Sequence, residues 1–246
     1  MGRITETIKH LIILNVLFFS ATFAVGPMVQ EQMALYFPKN ENFAVWQFVS
    51  HMFMHGSFMH ILFNMYGLWA FGSPLEMMWG RNKFLFFYFS AGIGAGLIYT
   101  AVNYFQFQQV YQNLIGLGLT EVDIQGILET GKYNSDLLVY VSAEQLNNFY
   151  SIFHVPAVGA SGALYGVLVA FAMLYPNAEL MLIFVPFPIK AKYFIPIIVG
   201  LDLFSGVTGF SIFGGGIAHF AHVGGAIIGF IIMWYWKKNQ FRRWDL

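Results

Sequence analysis

The sequence predicts an all-α membrane protein, organised as one domain over residues 1–246 and built on a bundle of six transmembrane helices. Its composition is 58% hydrophobic and 10% charged, whereas soluble domains carry about 25% charged residues. Six apolar stretches are also close to the roughly 20 residues that a helix needs to cross about 30 Å of hydrocarbon. They cover about 11–29, 58–78, 84–105, 157–175, 193–209 and 217–236.

The first apolar stretch allows two interpretations. Arg3 and Lys9 precede it, and Thr22, Phe23 and Ala24 weakly resemble the small-residue site at which a signal peptide is cleaved. The apolar run continues past this point without a clear polar break. This continuity favours a retained transmembrane helix over a leader removed with residues 1–24.

Lysine and arginine side chains set the expected orientation, because cytoplasmic loops of membrane proteins are enriched in them. Two of the twelve, Lys39 and Lys132, fall on one side of the predicted bundle. The other ten fall on the opposite side: Arg3, Lys9, Arg81, Lys83, Lys190, Lys192, Lys237, Lys238, Arg242 and Arg243. Both chain termini are therefore expected in the cytoplasm, and the external face carries two loops, about 30–57 and 106–156.

The second external loop is too polar to cross a membrane. It carries five acidic side chains and one lysine, namely Glu121, Asp123, Glu129, Asp136, Glu144 and Lys132. We expect it to hold one or two short helices outside the membrane, for example around 120–130.

Composition also excludes several classes of function. The chain has no cysteine, so neither disulfide bonds nor a catalytic thiolate are available. Its formal net charge is zero, which argues against nucleic-acid binding. No internal repeat is visible, so the inverted repeats of many transporters are missing.

Polar side chains inside the predicted helices are few and share one depth. Such side chains are costly in a membrane and therefore mark candidate functional sites. They lie near the outer ends of the second, fourth and sixth predicted helices: His51, His55, His60, Asn64, Ser161, His219 and His222.

Ser161 and one histidine can form a catalytic dyad, in which the imidazole takes the hydroxyl proton and activates the oxygen for attack on a carbonyl. His60 and Asn64 are four residues apart and present donors on one helical face, as an oxyanion site requires. Main-chain N–H groups near Ser161 add a further donor, since the first N–H groups of a helix lack intrahelical partners.

Glycine pairs indicate how the dyad is assembled. Gly162 and Gly166, like Gly225 and Gly229, have the spacing that lets transmembrane helices approach closely. If the fourth helix packs on the sixth through these faces, Ser161 comes within hydrogen-bond range of His222. Tyr165, one turn beyond Ser161, then either packs on that imidazole or forms a wall of a substrate pocket.

Three motifs together resemble the rhomboid intramembrane serine proteases. They are HGSFMHILFNM at 55–65, GASGALYG at 159–166 and AHVGGAIIG at 221–229. Each motif is short, but their order, spacing and placement on the second, fourth and sixth helices are specific. The resemblance runs from about 45 to 230 and implies a six-helix bundle of rhomboid type.

The resemblance implies a role for each matched residue. Ser161 is the nucleophile and His222 the general base, in a dyad with no catalytic aspartate. His60, Asn64 and the main-chain N–H of Ser161 form the oxyanion hole. Four further residues support the site. Gly159 and Gly162 keep the backbone close to the reacting carbonyl, Tyr165 packs on the catalytic histidine, and His55 supports the first external loop.

Two features depart from the family pattern. Gln47 follows Trp46 where an arginine is common, and the 106–156 loop is much longer than in the smallest relatives. Neither departure involves a residue of the expected dyad. Both departures leave open how the loops contribute to the choice of substrate. Asp202, near the outer end of the fifth helix, is expected to reach the interface or to pair locally, without a chemical role.

The candidate site residues also allow three other interpretations. A serine in a membrane helix is often a packing residue bonded to the carbonyl one turn back. Five histidines, His51, His55, His60, His219 and His222, are potential metal ligands, although no cysteine or pair of intramembrane carboxylates accompanies them. A rhomboid-like protein that binds client helices without cleaving them is the third interpretation.

The favoured hypothesis is a serine endopeptidase that cleaves transmembrane or juxtamembrane segments of other membrane proteins through an acyl-enzyme. It requires no cofactor and no metal, and its partners are its transmembrane substrates and the lipid bilayer. The fifth helix and the glycine-rich loop 207–216 are expected to move and admit substrate laterally. The compact architecture without a transit peptide leads us to expect a bacterial inner membrane.

Overall fold

The computed structural model describes residues 3–181, 187–210 and 218–242, and within them the chain is mostly helical. The helices are α1 Glu6–Val25, α2 Pro27–Met33, α3 Gln47–Ser50, α4 Phe58–Gly67, α5 Ser73–Trp79, α6 Arg81–Gly116, α7 Glu121–Thr130, α8 Ala143–His154, α9 Ser161–Leu174, α10 Ala191–Thr208 and α11 His219–Arg242. Short 3-10 helices cover His51–Phe53 and Ser135–Val139, and two-residue strands β1 (Glu179–Leu180) and β2 (Ile189–Lys190) pair in antiparallel fashion.

Helices occupy all six predicted apolar stretches, but their boundaries differ from the prediction. The 58–78 stretch is interrupted by a π-helical segment, Leu68–Gly72, between α4 and α5. Helix α9 begins only at Ser161, because Ala157 pairs as a β-bridge with Leu35. The predicted start of the last stretch, residue 217, lies outside the described residues.

Helix length decides which elements resemble membrane spans. Among the described residues, four helices are long and apolar enough to cross a membrane: α1, α6, α10 and α11. Helix α9 is apolar but has 14 residues, which correspond to about 21 Å. Helix α6 has 36 residues and is about 54 Å long, so residues 106–116 continue this helix and are not the loop expected there.

The centre of the bundle is formed by α6, α9 and α11, which pack through small residues. A methyl group added at Gly162 would lie 2.7 Å from Cβ of Ala95 on α6. One added at Gly225 would lie 1.8 Å from the main-chain oxygen of Gly162. The backbones of α9 and α11 are therefore in direct contact, as the glycine spacing predicts.

The N-terminus of α1 is bound by a side chain of α5. The carboxylate of Glu76 accepts hydrogen bonds from the main-chain N–H groups of Thr7 and Ile8, at 3.0 and 3.1 Å, and from the hydroxyl of Thr5. These contacts satisfy N–H groups that have no partner within the helix, and they place a negative charge at its positive end.

Gln47 organises the segment between α2 and α4. Its side chain is fully buried. Its Oε1 accepts hydrogen bonds from the main-chain N–H groups of Tyr36 (3.2 Å) and Ala44 (3.1 Å), and its Nε2 donates to the carbonyl of Asn42 (2.7 Å). A neutral amide thus connects three points of the loop through both donor and acceptor atoms.

The chain from the C-terminal part of α6 to α8 forms a helical layer with its own apolar core. The short helix expected around 120–130 is confirmed as α7, whose N-terminus has a reciprocal capping box between Thr120 and Asp123. Phe107 at the end of α6 stacks on Phe149 of α8, with ring centroids 4.3 Å apart. The core of this layer combines α6, α7 and α8: Val110, Leu114, Ile124, Leu128, Leu146 and Ile152.

The contact between α9 and α11 can be tested with Gly225→Ala. The added methyl group forces the two backbones apart, and such overpacking costs about 1–3 kcal/mol. We expect the melting temperature in detergent to fall by several degrees. Gly200→Ala is the matched control, because its methyl group meets nothing within 4 Å; its melting temperature should stay at or above the parent value. Equal melting temperatures for Gly225→Ala and the parent would contradict this contact.

Candidate active site

Ser161 is the first residue of α9, and the turn before it is bound by the segment between α2 and α4. The main chains of Leu35 and Ala157 exchange two hydrogen bonds of 2.9 Å, and the N–H of Gly159 donates to the carbonyl of His51 at 2.9 Å. Because Ser161 opens the helix, its own N–H group has no acceptor within α9. Both the hydroxyl and this N–H group are therefore held at a fixed position at the helix end.

His222 lies in the first turn of α11 and contacts Ser161. Its Nε2 is 2.8 Å from the Oγ of Ser161. The two residues are 61 positions apart in the chain, and the close contact of α9 with α11 brings them together. The structure thus joins a hydroxyl and an imidazole at hydrogen-bond distance.

The ring of Tyr165 stacks on the imidazole of His222 and orients it. The two rings stack with centroids 4.3 Å apart and planes inclined by 12°. The hydroxyl of Tyr165 is not free, because it donates to Oδ2 of Asp202. Of the two alternatives left open for Tyr165, the structure has the packing contact.

Asp202 of α10 is the residue that the sequence interpretation missed. Its side chain is 3% exposed, so of the two alternatives expected for it, the interface is wrong and the structure has Asp202 paired with neighbouring side chains. Its Oδ1 lies 3.2 Å from Nδ1 of His222 and 2.6 Å from Nδ1 of His219. The signal available in the sequence was a single carboxylate inside an apolar helix, which is by itself a reason to suspect a polar partner.

His60 faces the hydroxyl of Ser161 across Gly159. A methyl group added at Gly159 would lie 2.8 Å from Nε2 of His60 and 3.6 Å from Oγ of Ser161. Gly159 also has a φ of +123°, a conformation that residues with a side chain rarely adopt. Glycine at this position leaves space beside the hydroxyl, and the imidazole of His60 borders that space.

Asn64 is not brought to the hydroxyl in the same way. It is buried one turn behind His60, and its Nδ2 donates to the carbonyl of His60 at 2.8 Å. His55 is also buried and packs edge-on against His60, with ring centroids 5.0 Å apart. Burial lowers the pKa of His55 to about 4, so its imidazole is neutral at neutral pH.

The remaining predicted residues occupy packing positions. Gly162 lies against Ala95 and the carbonyl of Ala221. The Nδ1 of His51 is 2.7 Å from the carbonyl of Gln47. Within the described residues, no group of three or more histidine, cysteine, aspartate or glutamate side chains is arranged to hold a metal ion.

Comparisons with known proteins agree with the three motifs. The family model described as Rhomboid domain matches residues 42–239. The chain is 28% identical to the presenilin-associated rhomboid-like protein, mitochondrial, of Homo sapiens, over 96% of this chain and 51% of that protein. It is 26% identical to Rhomboid protein 1, mitochondrial, of Saccharomyces cerevisiae, over 77% of this chain and 41% of that protein.

A bacterial protein is similar as well. The chain is 25% identical to the rhomboid protease AarA of Providencia stuartii, over 76% of this chain and 54% of that protein. The chain spans about half the length of the curated relatives it matches. Since the family model covers most of the sequence and includes all three motifs, the chain belongs to the Rhomboid domain family.

Proposed function

We propose that this membrane protein is a serine endopeptidase that cleaves transmembrane or juxtamembrane segments of other membrane proteins. The observation that carries the proposal is the 2.8 Å contact between Oγ of Ser161 and Nε2 of His222. A nucleophile and a base at this distance are the minimum that acyl transfer by a serine requires. The rhomboid protease AarA of Providencia stuartii supports the same activity by similarity.

The proposed reaction has two stages. Oγ of Ser161 attacks the peptide carbonyl carbon while its proton passes to Nε2 of His222, and a tetrahedral oxyanion forms. The C–N bond then breaks as Nε2 returns the proton to the leaving amine, which leaves an ester on Ser161. A water molecule attacks the ester, gives one proton to Nε2, and releases the carboxylic acid as the proton returns to Oγ.

The oxyanion requires hydrogen-bond donors on the side of Ser161 that faces His60. The N–H group of Ser161 and the imidazole of His60 supply two donors in this proposal. Asn64 supplies a third if its Nδ2 exchanges the carbonyl of His60 for the substrate oxygen. We propose that Gly159 keeps this space open, and that Gly162 lets the substrate backbone approach.

The arrangement in the membrane is also a proposal. Six segments, including α4 with α5 and the short α9, cross the bilayer with both termini in the cytoplasm. Water then reaches the dyad from the external side. Helix α10 moves to admit substrate; the loop 207–216, expected to move with it, lies outside the described residues at 211–216.

The membrane that holds the protein is open to two proposals. A bacterial inner membrane is the first. The human and yeast relatives are named as mitochondrial proteins, which makes a mitochondrial membrane the second.

The proposed dyad predicts covalent labelling by a fluorophosphonate probe in detergent. We expect the parent protein to be labelled, and both Ser161→Ala and His222→Ala to lower the labelling rate by at least about 10³-fold. Ser73→Ala is the matched control, because it removes another buried serine hydroxyl and should leave labelling unchanged. Labelling that survives Ser161→Ala would contradict the proposal, because another nucleophile would then react with the probe. A folded parent that is not labelled would also contradict it and would favour a client-binding role.

Gly159→Ala tests the space beside His60. Its methyl group would displace the imidazole and strain the backbone, and loss of one oxyanion donor costs about 10²–10³-fold in rate. We expect labelling to slow by about that factor while the protein stays folded. Gly56→Ala is the control, since its methyl group would meet only Val158 at 4.0 Å. An unchanged labelling rate for Gly159→Ala would exclude the proposed oxyanion site.

A further inference from the structure

We infer that Asp202 is a positioning residue for His222. It extends the dyad to three side chains, namely Ser161 on α9, His222 on α11 and Asp202 on α10. The inference rests on the proposed function, because it concerns the same reaction. It departs from the dyad without an aspartate that the family resemblance implies.

The contacts form a continuous chain from the carboxylate to the hydroxyl. Oδ1 of Asp202 lies 3.2 Å from Nδ1 of His222, and Nε2 of the same imidazole lies 2.8 Å from Oγ of Ser161. The two ring nitrogens of His222 therefore face different partners. One faces a group that accepts hydrogen bonds, and the other faces a hydroxyl that must give up its proton.

This placement selects one tautomer of the imidazole. A neutral histidine carries one N–H, and an ionised carboxylate only accepts hydrogen bonds. Asp202 therefore favours the proton on Nδ1, which leaves Nε2 free to accept the proton of Ser161. The same carboxylate stabilises the imidazolium that forms when the hydroxyl proton is transferred.

Hydrogen bonds to both of its oxygens hold the carboxylate of Asp202 in place. Oδ2 accepts from the hydroxyl of Tyr165, and Oδ1 accepts from Nδ1 of His219 at 2.6 Å as well as from His222. A buried carboxylate without such donors would be costly. Tyr165 also stacks on His222, so one side chain orients both the imidazole and the group that selects its tautomer.

His219 offers a purely structural alternative for Asp202. The His219 contact is shorter than the His222 contact, so the carboxylate also connects α10 to α11 without involving the dyad. If Asp202 only connects the two helices, its replacement should slow labelling both in the parent and in His222→Ala. If Asp202 acts through His222, its replacement should slow labelling in the parent and have no effect in His222→Ala.

The experiment compares fluorophosphonate labelling of the full chain in detergent, with the maximal rate and the half-saturating probe concentration measured separately. Asp202→Asn should lower the maximal rate by about 10²–10⁴-fold and change the half-saturating concentration by less than about threefold. Asp202→Glu should recover part of the lost rate, because it restores a carboxylate. Ser205→Ala, a buried change one turn further along α10, is the control and should behave as the parent.

A double variant separates positioning from structure. In the His222→Ala background, adding Asp202→Asn should leave the residual rate unchanged. A further loss there would assign Asp202 a structural role and overturn the inference. An Asp202→Asn rate within about twofold of the parent would also overturn it.

The tautomer of His222 can also be measured in the parent chain. This test does not depend on whether an Asp202 variant folds. With ¹⁵N-labelled histidine, the His222 resonances, assigned by their loss in His222→Ala, should show the tautomer protonated on Nδ1. A resting tautomer protonated on Nε2 would contradict the inference. Absence of labelling in a folded parent refutes the proposed function instead, so the two failures are distinguishable.

Discussion

The direct contact between the backbones of α9 and α11 is the constraint on which the candidate site depends. No side chain fits between Gly225 and the carbonyl of Gly162. This contact joins the helices that carry Ser161 and His222, whose Oγ and Nε2 atoms are 2.8 Å apart. Small residues also let α6 pack against both helices, as at Gly162 beside Ala95 and at Gly224 beside Ile98.

The turn before Ser161 shows a second way in which the fold prepares the site. The loop between α2 and α4 pairs with Ala157 and Gly159 through main-chain hydrogen bonds. That loop is in turn organised by the buried amide of Gln47. The segment between α2 and α4 thus fixes the main-chain positions of residues that border the hydroxyl.

The helical layer formed by α6, α7 and α8 contacts the end of α10. A methyl group added at Gly209, which follows α10, would lie 2.8 Å from a carboxylate oxygen of Glu144 in the first turn of α8. The helix that supplies Asp202 is therefore in contact with the layer formed by α6, α7 and α8. In the proposed function, α10 both supports the base and admits substrate, so this layer is positioned to influence both.

The sequence alone determined the membrane character, the presence of helix in the six apolar stretches, the three motifs and the short helix α7, because these follow from composition, apolar length and local capping. It also pointed to the glycine contact, since the spacing of small residues is a local signal. Only the tertiary structure decided what the polar side chains face: Asp202 turns inward to His222 and His219, and Asn64 turns back to the carbonyl of His60. It also decided the π-helical break after α4 and the extension of α6 beyond its apolar stretch. The physical reason is that the partners of these side chains lie on other helices, and the rotation and crossing of those helices depend on packing across the whole bundle.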